Sequence, residues 1–125
     1  MEVLDVETMI VSARINVLAR GLFWVLCVVV VAGALVPQDA LTTTFALSDK
    51  IIHTGAFLVL SALGLCGYPS HRITVIVSLV ALGGAIEIAQ SFTTTRSHEW
   101  LDFLADGLGV LLGYSAVLAI KSREQ

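Results

Sequence analysis

The sequence predicts an all-α, polytopic membrane protein: four transmembrane helices in a compact bundle. Three observations carry that prediction. Of 125 residues, 57% are hydrophobic and only 14% are charged, whereas a soluble domain carries about 25% charged residues. The mean hydropathy is +0.91, so the chain cannot clothe itself in polar surface. The apolar residues also gather into four stretches, each close to the ~20 residues that a 1.5 Å rise needs to cross ~30 Å of hydrocarbon. Lipid offers the backbone no hydrogen bonds, so each stretch must satisfy its own as an α-helix.

The first expected span is 17–36. Arg20, the apolar run 21–35 and the small pair Ala32/Ala34 resemble a signal peptide with its cleavage site. A signal's leading region is short and basic, however, and this one is long and contains Glu2, Asp5 and Glu7, so the run is expected to stay as the first helix. Residues 1–16 read as an imperfect amphipathic helix. Glu2, Asp5, Ser12 and Asn16 share one face while Glu7 and Arg14 interrupt the other, which leaves an interfacial placement open.

The second span, 50–68, opens on Asp49, Lys50 and His53; the third, 73–92, closes on Glu87 and Gln90; the fourth, 101–120, opens on Asp102 and Asp106. Connections of about 13, 4 and 8 residues leave room for one domain over 1–125. Cys27 and Cys66 fall at different depths and lack CxxC spacing, so they read as packing residues without a disulfide. Tyr68 and Trp100, at span ends, read as interfacial anchors.

A net charge of −3 with no basic run gives no support for a nucleic-acid partner, and none is expected. If the helices alternate, Arg14, Arg20, Arg72, Lys121 and Arg123 share one side and only Lys50 and Arg96 the other. An excess of Lys and Arg marks the cytoplasmic side. Both termini are therefore expected inside, and the polar residues of the span ends outside.

Those polar residues are the candidate site. A charge at the bilayer centre costs about 2.5–3.5 kcal/mol on insertion scales, so several at one depth need a reason. Asp49, His53 and Phe57 follow at four-residue steps along one side of the second helix. Asp102, Asp106, Gly109 and Gly113 form a single stripe on the fourth. Its Gly-x-x-x-Gly half lets another helix approach closely, which turns the two aspartates inward. Glu87, near the outer end of the third helix, has Lys50, Arg96 and His53 as available partners.

The pattern Asp49-Lys50-x-x-His53-x-x-x-Phe57, then Glu87-x-x-Gln90, then Arg96, Asp102 and Gly109/Gly113 resembles the VanZ family of small bacterial membrane proteins. The resemblance covers roughly residues 49–113 and departs at Asp106, where the family pattern usually has Asn. The family takes its name from a member linked to resistance to teicoplanin, a glycopeptide antibiotic that acts outside the cell. The resemblance therefore implies a multi-pass protein of the bacterial cytoplasmic membrane with a part in envelope or antibiotic response. It supplies no general activity.

Several readings of the cluster stay open. In a binding reading, Asp49, Lys50, Gln90, Arg96, Asp102 and Asp106 line a pocket for a membrane lipid, a lipid-linked envelope precursor or another amphiphile. Arg96 and Lys50 would hold a phosphate there. In a catalytic reading, Glu87 or His53 acts as general acid or base on a lipid-linked phosphate. Ser91, Ser97 and the hydroxyls of 93–95 read as loop residues, not nucleophiles. A third reading is a purely structural polar network. A metal is not expected, because HxxxH and HExxH are missing and Lys50 and Arg96 would repel a cation. His71 and His98 read as solvated, and no cofactor is expected. A transporter is disfavoured, since no repeat and no midplane charge is visible. Homo-oligomerisation through the Gly-bearing helix faces is the remaining partner expectation.

Overall fold

In the computed structural model, residues 2–37, 46–93 and 99–123 are described, with side chains from 5, 49 and 99 onward in the three segments. They form four helices: α1 Glu2–Ala34, α2 Ala46–Gly67, α3 Arg72–Ser91 and α4 Trp100–Arg123. All four are long and apolar enough to cross a membrane, so the expected fold class holds: an all-α, multi-pass membrane protein.

Breakers in the sequence set the helix ends. Pro37 cannot continue α1, whose last turn loosens into the bonds Leu35 N to Val31 O and Val36 N to Gly33 O. Pro69 follows the end of α2 at Gly67 in the same way. Each of α2 and α4 carries an aspartate in its first turn, and α4 carries Lys121 and Arg123 in its last, all favourable to the helix dipole.

Helix α1 begins at Glu2 and runs for 33 residues without a break, so residues 2–16, read as an imperfect amphipathic helix, and the expected first span form one continuous element. Hydropathy marks what lipid requires, whereas helical hydrogen bonding stops only at a breaker. No proline and no glycine precedes Gly21.

Because α2 and α4 both start at the end that holds the polar residues, they run parallel, and they form the most extensive packing pair although α3 separates them in sequence. α1 lies against α2, α3 lies mainly against α4, and α1 touches α3 only slightly. Glycine sets the α2–α4 distance. A Cβ on Gly109 would strike the Thr54 carbonyl and Phe57 Cβ, and one on Gly113 would strike Leu58 O and Ser61 Cβ. The expected close approach is thus made to α2 of the same chain. Two hydroxyls of α2 then reach carbonyls of α4, Thr54 Oγ1 to Ala105 O at 3.2 Å and Ser61 Oγ to Val110 O at 3.0 Å. Phe57, Leu60, Leu65 and Leu79 fill the centre, fully buried.

The end remote from the polar cluster has its own latch. Arg20 Nε donates to Gly67 O at 2.6 Å, which sets a cation on the electronegative end of α2. The guanidinium stacks 4.9 Å over the Tyr68 ring, and Tyr68 OH accepts from Trp24 Nε1 at 3.0 Å. Cys27 and Cys66 are both free.

Candidate functional site

Two ionic groupings occupy the end of the bundle where α2 and α4 begin. In the first, Lys50 Nζ lies 2.6 Å from Glu99 Oε2 and 3.3 Å from Asp102 Oδ1. Asp102 is buried while Glu99 is exposed, so Lys50 reaches from a desolvated carboxylate to a solvated one. In the second, His53 Nδ1 lies 2.9 Å from Asp106 Oδ1, and Nε2 lies 4.0 Å from Asp49 Oδ1. His53 and Asp106 are both buried, Asp106 to 2% exposure, while Asp49 is half-buried. The i, i+4 steps Asp49–His53 and Asp102–Asp106 produce this layering, because each helix brings one deep and one shallow group to the shared face.

Asp106 also meets α3. Its Oδ2 would lie 2.9 Å from a Cβ on Gly83, so only a glycine leaves room for the carboxyl there. That oxygen has no hydrogen-bond partner among the described residues. Gln90, also buried, is spent elsewhere: Nε2 donates to Ala34 O at 3.0 Å and ties α3 to the end of α1. The Ser91 and Thr93 hydroxyls bond back to Ile88 O and Gln90 O; Thr93 lies beyond α3, whereas Ser91, read as a loop hydroxyl, is the last residue of that helix.

Glu87 faces a different space. With Gly84, Ile88 and Ser91 of α3 and Trp100 and Phe103 of α4, it lines an open groove of about 400 Å³ between the two helices. The walls are apolar, Glu87 and Ser91 supply the polar groups, and exposed Ile88 and Trp100 rim it. A concave, largely apolar site with few polar groups is the usual form of a small-molecule pocket.

Of the residues picked from the sequence, Asp49, Lys50, His53, Asp102 and Asp106 therefore come together. Gln90 engages α1, and Glu87 lines the groove. Arg96 and His98 lie outside the described residues, as do Thr94, Thr95 and Ser97. Glu99 joins the cluster although nothing in the spans singles it out. It lies one residue before α4, and the i, i+3 step to Asp102 was the available signal. Gly83 was equally hidden, because its role depends on which helix Asp106 faces. Among the described residues, no group of three His, Cys, Asp or Glu side chains has the arrangement to hold a metal ion.

What the arrangement can do follows from its charges. In this cluster Lys50 and His53 both have carboxylate partners across the α2–α4 interface. An anionic head group at Lys50 would compete first with Glu99, the solvent-exposed and screened partner of the two. The groove is lined by Glu87, which is itself engaged, and by Ser91, whose hydroxyl donates to Ile88 O. No family model matches the chain, and no curated protein or solved structure does so either.

Proposed function

We propose that this chain is a VanZ-like protein of the bacterial cytoplasmic membrane that binds an amphiphilic envelope molecule, such as a lipid-linked precursor. Both termini lie in the cytoplasm, and the polar end faces outward. The groove between α3 and α4 carries the reading, because it joins apolar walls to Glu87 at the same end of the bundle as the ionic cluster. An acyl or prenyl chain suits those walls. The head group then meets Glu87 and Ser91 and, by competition with Glu99, Lys50. Sugar hydroxyls or an amine suit the carboxylate, and a phosphate draws on Arg96 and Lys50. The orientation rests on the basic residues: Arg20, Arg72, Lys121 and Arg123 belong to the opposite end of the bundle.

Native mass spectrometry of gently extracted protein tests this reading. Wild type should retain a discrete amphiphile, and Glu87→Gln and Gly84→Leu should lose it while staying folded. Folded variants that retain the same molecule would overturn it.

One observation favours a second reading, in which the site is catalytic. With Asp106 ionised, its bond to Nδ1 fixes the His53 tautomer and leaves Nε2, on the side of half-buried Asp49, to take a proton from a water or hydroxyl. Transfer or hydrolysis at a lipid-linked phosphate is the reaction class. Turnover of the retained molecule by wild type, lost in His53→Gln with retention intact, distinguishes it from binding alone.

A further inference from the structure

The contact of Arg20 with Gly67 marks where α2 ends along α1. From there α1 continues toward its N-terminus for roughly 25 Å, at 1.5 Å per residue, with no other helix beside it. Residues 5–15 are exposed throughout, among them Val6, Met9, Ile10 and Val11, and Val17 is 66% exposed. The spans Asp49–Gly67 and Arg72–Ser91, of 19 and 20 residues, match one hydrocarbon thickness, whereas the apolar stretch Asp5–Ala34 has 30. The excess length of α1 therefore forms an apolar arm projecting from the end of the bundle that bears Arg20 and Arg72.

We propose that this arm pairs with the same arm of a second copy as a parallel two-stranded coil. Val6, Ile10, Ala13 and Val17 follow alternating steps of four and three residues, which is the seam of a coiled coil. Ile10 and Val17 take the positions where β-branched side chains favour two strands. The surface also carries a matching socket. A concavity on the arm is lined by Ile10, Ala13, Arg14, Val17 and Leu18. The first four stand at i, i+3, i+4 and i+7, the set that receives one side chain of a parallel partner, and the small Ala13 makes the hollow.

Direction and charge choose the occupant. At 3.6 residues per turn, the seam centres roughly 120° round α1 from the face of Ala19, Phe23, Val30 and Ala34 that packs on the bundle. Two arms can meet with both bundles on the outside. Membrane insertion gives both copies one orientation, so a two-fold axis along the membrane normal makes the pair parallel and self-complementary. An arm lying flat on lipid would instead press Glu7 and Arg14 into the middle of its apolar surface. In the coil those residues sit at the edge of the seam. The Gly109/Gly113 face cannot serve for association, since α2 fills it. Two heptads are short for a free coil, but tethering in one membrane raises the effective concentration.

Disulfide trapping in native membranes tests the pairing. In a Cys27→Ala, Cys66→Ala background, Ala13→Cys sits on the seam and Ser12→Cys on the opposite side. Mild oxidation should give about tenfold more covalent dimer at residue 13 than at 12, because the seam holds the thiols together. Maleimide labelling after denaturation confirms that both thiols are present. No dimer at 13, whether because lipid or another protein covers the arm, overturns the proposal, as does equal dimer at both positions. As a second measure, Ile10→Glu should lower the number of copies counted per native nanodisc from two to one. An unchanged count of two overturns the proposal as well.

Discussion

The burial gradient around Lys50 ranks its partners. Asp102 is 6% exposed, and the Glu99 side chain is 48% exposed. Removing Lys50 strands a buried carboxylate, and removing Asp102 strands the ammonium beside a screened partner, whereas Glu99→Ala deletes a surface contact. Thermal unfolding in detergent should therefore show Lys50→Ala and Asp102→Ala lowering Tm clearly and Glu99→Ala barely; equal shifts would contradict this ranking. His53 and Asp106 form one unit at 2.9 Å. His53→Ala, Asp106→Ala and the double variant should give non-additive losses, with a coupling of about 0.5–2 kcal/mol, the range found for polar contacts between membrane helices. Additive losses would mean that the pair does not hold the helices together.

At the scale of the element, the α2–α4 interface depends on two glycines. Gly109→Ala should cost about 1–3 kcal/mol by overpacking, since its Cβ meets backbone of α2 that cannot swing aside. Gly107→Ala, two residues away with open space around it, should be neutral or slightly stabilising because alanine is the better helix former. Equal Tm shifts for the two would show that the close approach is not what the glycines provide. Much of this interface was legible in the sequence. The stripe Asp102, Asp106, Gly109 and Gly113 follows helical periodicity, and all four are buried. What periodicity does not encode is the neighbour. A stripe names the face that packs, but the choice of α2 over α3 or a second copy depends on how four helices share a core. Gly83 stayed hidden for that reason, and so did the separate directions of Glu87 and Gln90. The helical pattern of residues 1–16 was legible too, but not its continuity with the first span, because hydropathy reports what lipid tolerates and the helix runs on past it.

The whole molecule places its polar investment unevenly. One end carries the ionic cluster and the mouth of the groove; the other carries basic residues, the Arg20 latch and the α1 arm. The proposed function needs the first end to meet an amphiphile from the membrane through the α3–α4 groove. Lipid bathes the rest of both helices equally, so the groove must select what lipid elsewhere does not. Site-specific photo-crosslinking reads that selection directly. A benzophenone amino acid is placed at Phe103, which lines the groove, or at Leu111, which is 63% exposed on the same helix outside it. After irradiation in native membranes, mass spectrometry should find one discrete amphiphile attached at 103 and only bulk lipids at 111. The same bulk-lipid products at both positions would contradict a binding groove.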